Sequence, residues 1–228
     1  MALNRGMDAV RDSAEAGANR RTRWKQDPEG VRRDILVVAM NEFAENGLSG
    51  ARIDEIAAKT RTSKRMIYYY FGDKDGLYRD VLEEAYRQVR AGEENLQLAD
   101  LEPVAALRTL TEFTFDHHRD HPSFIRLVMI ENIHHGDYLK HSEVIRKLNE
   151  TAISRIEGIY RKGVASGDFR PDLTPLAIHW QISALSFFNV SNRVSFSLLF
   201  GQDLYTEEGQ AGLKAQVAET VLRFVARR

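Results

Sequence analysis

The sequence predicts an all-α fold: an N-terminal three-helix unit built on a helix-turn-helix, followed by a larger C-terminal helical domain. Three observations carry that expectation. Apolar residues recur at helical spacing, as in Leu77, Val81, Ala85 and Val89, and no stretch alternates with the period of two that a half-buried strand requires. All five prolines stand where helices begin or loops turn, and none interrupts an apolar stripe. The stretch Ile53–Tyr78, IDEIAAKTRTSKRMIYYYFGDKDGLY, reads as two short helices parted by a four-residue turn and followed by the start of a third.

Residues 1–26 are polar, carry no sustained apolar stripe and end in the basic segment RRTRWK, which reads as a flexible tail. It is either a solvated leader or an arm toward nucleic-acid phosphates, and Trp24 could equally pack on the first helix. Asp27-Pro28 opens a helix reaching Asn46, with Ile35, Val38, Ala39 and Phe43 on one face and Gly47 as its stop. Ile53, Ile56 and Ala57 turn inward on the next helix. Ser63 then caps another, placing Met66, Ile67, Tyr70 and Phe71 inside and Lys64, Arg65, Tyr68 and Tyr69 outside. Gly72 ends it, where positive φ is the usual stop. A long helix follows from Lys74 to about residue 97. Helices are further predicted over 102–120, 123–135, 143–166, 175–192 and 211–225, so the division is 1–26, 27–73 and 74–228.

Composition bounds the function. The 228 residues are 43% hydrophobic and include no cysteine, which excludes disulfides, thiol catalysis and thiolate metal sites and fits a cytoplasmic protein. No run approaches the roughly 20 apolar residues of a membrane helix. Net charge is −1, but Arg20–Lys25 and Arg61–Arg65 are basic clusters free of acid. A chain that is near neutral overall can hold DNA through such a local patch.

From Gly47 to Tyr78 the order of residues resembles the DNA-binding half of the tetracycline-repressor (TetR) family. It shows Gly47, the pair Ile56-Ala57, Ser63-Lys64, Tyr68 ahead of Tyr70-Phe71, and Lys74 before Leu77. The stretches HPSFIRLVMIEN and SGDFRPD are similar to one subgroup of such regulators. Two residues depart from the pattern. Arg52 stands where the family has a capping Thr or Ser, and Arg61 stands where it has Gly, so Arg61 is expected in a left-handed backbone at a cost of roughly 1 kcal/mol. The resemblance implies that Arg52, Arg61, Thr62, Ser63, Lys64, Arg65, Tyr68, Tyr69 and Lys74 meet double-stranded DNA. It also implies a homodimer on a palindromic operator, with 143–166 and 175–192 as interface helices, released by a small-molecule effector.

The effector site is read from aromatic and polar residues of the C-terminal half: Phe113, His117, His121, Glu131, Asn132, Trp180, Phe187 and Phe188. Six of the seven histidines fall between His117 and His141, and His118 and His121 share the face of Leu107, Leu110 and Thr114. An acid such as Glu131 on a helix apolar nearly all round should be paired or line a cavity. Histidines at helical spacing also permit a metal-responsive reading of the region His117–His135. An enzyme is disfavoured, since no G-x-S-x-G, phosphate-loop, H-E-x-x-H or Rossmann pattern occurs, leaving only metal-dependent hydrolysis at Glu131 to consider. No cofactor is implied.

Overall fold

The computed structural model describes residues 27–227; the predicted tail over 1–26 lies outside them. Ten α-helices run in this part of the chain: α1 Pro28–Gly50, α2 Ile53–Lys59, α3 Lys64–Phe71, α4 Lys74–Glu94, α5 Pro103–Asp120, α6 Pro122–Ile133, α7 Glu143–Ser166, α8 Pro175–Ser191, α9 Arg193–Phe200 and α10 Glu207–Val225. Short 3-10 turns lie at 98–100, 139–141 and 203–205. Among the described residues the only strand-like pairing is an isolated bridge between Phe169 and Ala226.

The chain divides into two compact units, the first ending at Leu82 and the second beginning at Glu83. That boundary falls inside α4, whereas the sequence reading divides the chain after residue 73. The first half of α4 belongs with the N-terminal core, where Leu77, Tyr78 and Val81 are fully buried and Tyr78 meets Phe43 edge to face at 5.1 Å.

In the N-terminal unit, Asp27 caps α1 by accepting the Gly30 N–H at 2.8 Å, with Pro28 in the first turn. Ile35, Leu36, Ala39 and Phe43 form its buried face, and Gly47, at φ 67°, breaks the helix where the sequence places its end. Ile53, Ile56 and Ala57 of α2 pack inward with Ile67 and Phe71 of α3. Met66 and Tyr70 are only half-buried. Ser63 caps α3 by accepting the Met66 N–H at 3.3 Å. Gly72 closes the helix at φ 77°, a conformation that a Cβ disfavours.

The C-terminal unit is a helical bundle whose core draws Leu107 and Leu110 from α5, Ile156 and Ile159 from α7, Ile178 and Ile182 from α8, and Val221 and Val225 from α10. Tyr160 pins the α7–α8 connection: its hydroxyl donates to the Arg170 carbonyl at 2.8 Å and accepts the Leu173 N–H at 3.0 Å. Gly163 lets the buried Phe169 ring lie directly on α7, since a Cβ there would meet the ring at 2.0 Å. Helix α9 is absent from the sequence reading, and α6 stops earlier than predicted because His135 and Gly136 take φ values of 59° and 68°.

Candidate nucleic-acid interface and ligand cavity

Helix α3 sends Ile67 and Phe71 inward and leaves Lys64, Arg65, Tyr68 and Tyr69 outside. Tyr69 is 74% exposed and Tyr68 44%, unusual for tyrosines that could have packed against a core. Lys64 is ion-paired with Asp54 of α2. Arg61 adopts φ 53°, and Arg52 precedes α2 with an exposed side chain that makes no capping bond. Ser63 is exposed and Thr62 half-buried. Lys74 reaches the Ser49 carbonyl at 3.4 Å, so its charge is tied to the end of α1.

Behind this surface lies a residue that the sequence reading missed. Glu42, on the apolar register of Ile35 and Ala39, is buried. It accepts from Lys59 Nζ at 3.1 Å, Asn46 Nδ2 at 3.1 Å and the Arg52 N–H at 3.3 Å. Burial by itself raises a carboxyl pKa, but the Lys59, Arg52 and Asn46 contacts outweigh it and hold Glu42 below the ordinary value. The anion therefore locks α1 to both ends of α2. Its signal in the sequence was an acid on an apolar stripe.

The second unit contains a cavity of about 550 Å³ among α4, α5, α6, α7 and α8. Tyr86, Val89, Arg90 and Glu93 line it from α4, Leu110, Thr114 and His118 from α5, and Phe124, Val128 and Asn132 from α6. Asn149, Ala152, Ile153 and Ile156 of α7 and Leu176, His179, Trp180, Ser183 and Phe187 of α8 contribute to the remaining wall.

Of the residues proposed from sequence, Asn132, Trp180 and Phe187 line this cavity. Phe113, His117, His121, Glu131 and Phe188 do not. Phe113 lies against Gly92, where an added Cβ would meet its ring at 2.5 Å. His117 is buried and stacks on the exposed His121 with centroids 4.2 Å apart. The cavity position belongs instead to His118, one residue on, because Leu110, Thr114 and His118 fall at i, i+4 and i+8. Glu131 is buried, as its register implied, but its Oε2 accepts the Tyr138 and Leu139 N–H groups, both at 3.1 Å, and so holds the loop after α6. Phe188, itself exposed, joins an aromatic ladder with the half-buried Phe196 and the exposed Phe200.

The His117–His135 region does not gather a ligand set either. His118 Nδ1 lies 2.5 Å from the Thr114 carbonyl and His121 Nδ1 lies 2.9 Å from that of His117. Among the described residues no three His, Asp or Glu side chains stand close enough to hold a metal ion.

Burial, reinforced by the Arg90 charge, pushes the His118 pKa down to about 4, although its bond to Thr114 acts the other way. Burial and then Arg90 lower His179 as well. Both rings are therefore neutral near pH 7. Arg90 and Glu93 are themselves buried and ion-paired, and Arg155 reaches the second Glu93 oxygen at 2.7 Å. Sequence reasoning placed His118 on the face of Leu110 and Thr114 but overlooked His179, Arg90, Glu93 and Arg155, although Tyr86, Val89 and Glu93 continue the stripe of Leu82 along α4.

Two family models match the chain. Residues 35–81 fit "Bacterial regulatory proteins, tetR family", and residues 103–221 fit "Tetracyclin repressor-like, C-terminal domain". The HTH-type transcriptional repressor NicS of Pseudomonas putida is 33% identical over 202 residues, covering 89% of this chain and 95% of that protein. The HTH-type transcriptional repressor SCO4008 of Streptomyces coelicolor is 36% identical over 113 residues, 49% of this chain and 54% of that protein. Among solved structures, the ketosteroid transcriptional regulator KstR2 of Mycobacterium tuberculosis superposes with a TM-score of 0.63 at 18% identity, covering 86% of this chain and 95% of that one. A tetR-family regulatory protein from Rhodococcus RHA1 gives 0.66 at 20% identity, covering 87% and 98%. These two show likeness of fold.

Proposed function

Because the chain belongs to the tetracycline-repressor family of DNA-binding transcriptional regulators, we propose that it is a repressor that binds a palindromic operator as a homodimer and is released by a small-molecule effector. The observation that carries the operator reading is α3, a capped helix whose apolar side is buried and whose outer side offers Lys64, Arg65, Tyr68 and Tyr69. Such side chains bind phosphate oxygens and, through Lys64 and Arg65, base edges, and only base-edge contacts carry sequence information. Arg52, Arg61, Thr62, Ser63 and Lys74 supply further positions around that helix. Lys74 stands at the start of α4, where the helix dipole adds to its charge.

One helix-turn-helix reads a few base pairs, and two copies on a two-fold axis read half-sites about one helical turn or more apart. The surface of α8 and α9 supports pairing: Trp180, Phe188, Val194, Leu198, Leu199 and Phe200 are each at least half exposed. Helix α7, an interface candidate in the sequence, is less suited. Its outer face is charged, with Arg146 bonded to Glu143 and Glu150 and Arg161 to Glu157. The cavity would house the effector. Helix α4 carries cavity residues on its second half and buried core residues of the DNA-binding unit on its first, so it is the element through which binding shifts the population away from the operator-competent spacing.

The test is selection of binding sites from random fragments by the wild type beside a Lys64→Ala/Tyr69→Ala variant, repeated across a salt series. Enrichment of one palindrome by the wild type alone, with affinity falling steeply as salt rises, is the expected result. Equal binding by both proteins, or no selected sequence, removes α3 as the reading helix.

A further inference from the structure

This inference rests on the reading of the C-terminal cavity as the effector site and names the chemistry of its occupant. The walls are largely apolar, with Tyr86, Phe124, Ile156, Trp180 and Phe187 among them, yet they include a buried guanidinium, that of Arg90 at 7% exposure. A buried cation is costly unless its donors are satisfied. Arg90 gives Nη1 to Glu93 Oε1, but Glu93 is shared, because Arg155 takes Oε2 at 2.7 Å. One carboxylate thus serves two guanidiniums, the triad keeps a net positive charge, and the buried Arg90 Nε has no partner. The other buried acid nearby, Glu131, lies outside the lining, and its Oε2 accepts the Tyr138 and Leu139 N–H groups. His118 and His179 add no positive charge at neutral pH. With its proton on Nδ1 toward Thr114, His118 keeps Nε2 as an acceptor.

We propose that the cavity takes an organic monoanion, a carboxylate carried on an apolar ring or chain, with Arg90 as its ionic partner. The planar fork of arginine suits a carboxylate, and a charge-assisted bond to a buried guanidinium is stronger than the same bond in water. A single net charge in a largely apolar wall favours a monoanion over a phosphate dianion. Oils of the same shape without the charge gain the wall contacts but leave Arg90 Nε unpaired.

Calorimetric titration of the full chain with 2-naphthoate and 2-naphthamide, and with octanoate and octanamide, isolates the charge within matched shapes. We expect the acid of each pair to bind about 10- to 100-fold more tightly than its amide. Arg90→Gln should erase that preference, weakening the acids far more than the amides. Glu93→Gln should tighten the acids, since it frees two guanidiniums. Opposite shifts from neighbouring substitutions cannot arise from a general loss of folding. An amide bound as well as its acid, or Arg90→Gln weakening both members of a pair alike, overturns the anion assignment. In that case, probe binding lost in Trp180→Ala and Phe187→Ala leaves the cavity standing as an effector site. Binding that neither wall substitution changes removes the cavity reading itself, and no binding by either acid at millimolar concentration overturns the inference.

Discussion

Gly163 and His118 show how single positions in the C-terminal unit are set by their surroundings rather than by type. Gly163 is needed because the Phe169 ring occupies the volume of its missing Cβ. Gly163→Ala should destabilise the protein by about 1–3 kcal/mol as the buried ring shifts. Thermal or urea unfolding measures this, and an unchanged midpoint would mean that the ring moves freely. His118 makes stability depend on pH. Its pKa is about 4 in the fold against 6.5 as an ordinary histidine, so between those values only the unfolded chain takes up the proton. Its contribution is full above about pH 6.5 and is lost as pH falls toward 4, at about 1.4 kcal/mol per pH unit for one such group. Burial lowers His117 in the same direction. Melting temperatures of the wild type should drop across that window, and those of His118→Gln should drop less steeply.

At the level of elements, one cation of the α2–α3 surface, Lys64, is already paired before any DNA arrives. Asp54 of α2 holds Lys64 of α3, with both side chains about half exposed. An exposed pair of this kind adds little to stability, yet binding phosphate through Lys64 requires breaking it. Asp54→Asn should therefore raise operator affinity several-fold at low salt, with the gain shrinking as salt screens it, while the melting temperature hardly moves. Fluorescence anisotropy on the selected operator reads this directly, and a weaker complex would show that Asp54 orients Lys64 rather than restrains it. These short helices were legible in the sequence because their signals are local, with Gly47 and Gly72 as stops and Ser63 as cap, while the left-handed Arg61 was expected from the family resemblance. Helix α9 was not legible, because RVSFSLLF is apolar on most sides and has no proline or side-chain cap at its start.

For the whole molecule, the apolar face of α8 and α9 leads to a prediction about assembly. Val194, Leu198, Leu199 and Phe200 are each more than 70% exposed in the single chain, a contiguous run that water disfavours. A Leu198→Glu/Phe200→Glu variant should sediment as a monomer and lose operator binding, because a single recognition helix makes too few contacts. Its binding of cavity probes should persist. A variant that still sediments as a dimer would move the interface elsewhere, with the charged outer face of α7 the next place to look.

The sequence by itself determined what local spacing can encode: an all-α chain, the helix starts at Asp27 and Ser63, the exposed side of α3 and a resemblance that the comparisons made into family membership. It also marked Glu131 as a buried acid in need of partners, though not which ones. Only the tertiary structure decided which residues face the C-terminal cavity. Consecutive helical residues point about 100° apart, so choosing His117 or His118 turns on how α5 is rotated against its neighbours. The shared carboxylate of Glu93 lay further from reach, because its two arginines are on α4 and α7, 65 residues apart in the chain. Nothing in local periodicity reports a contact across that distance, and it is the packing of the bundle that brings those charges together.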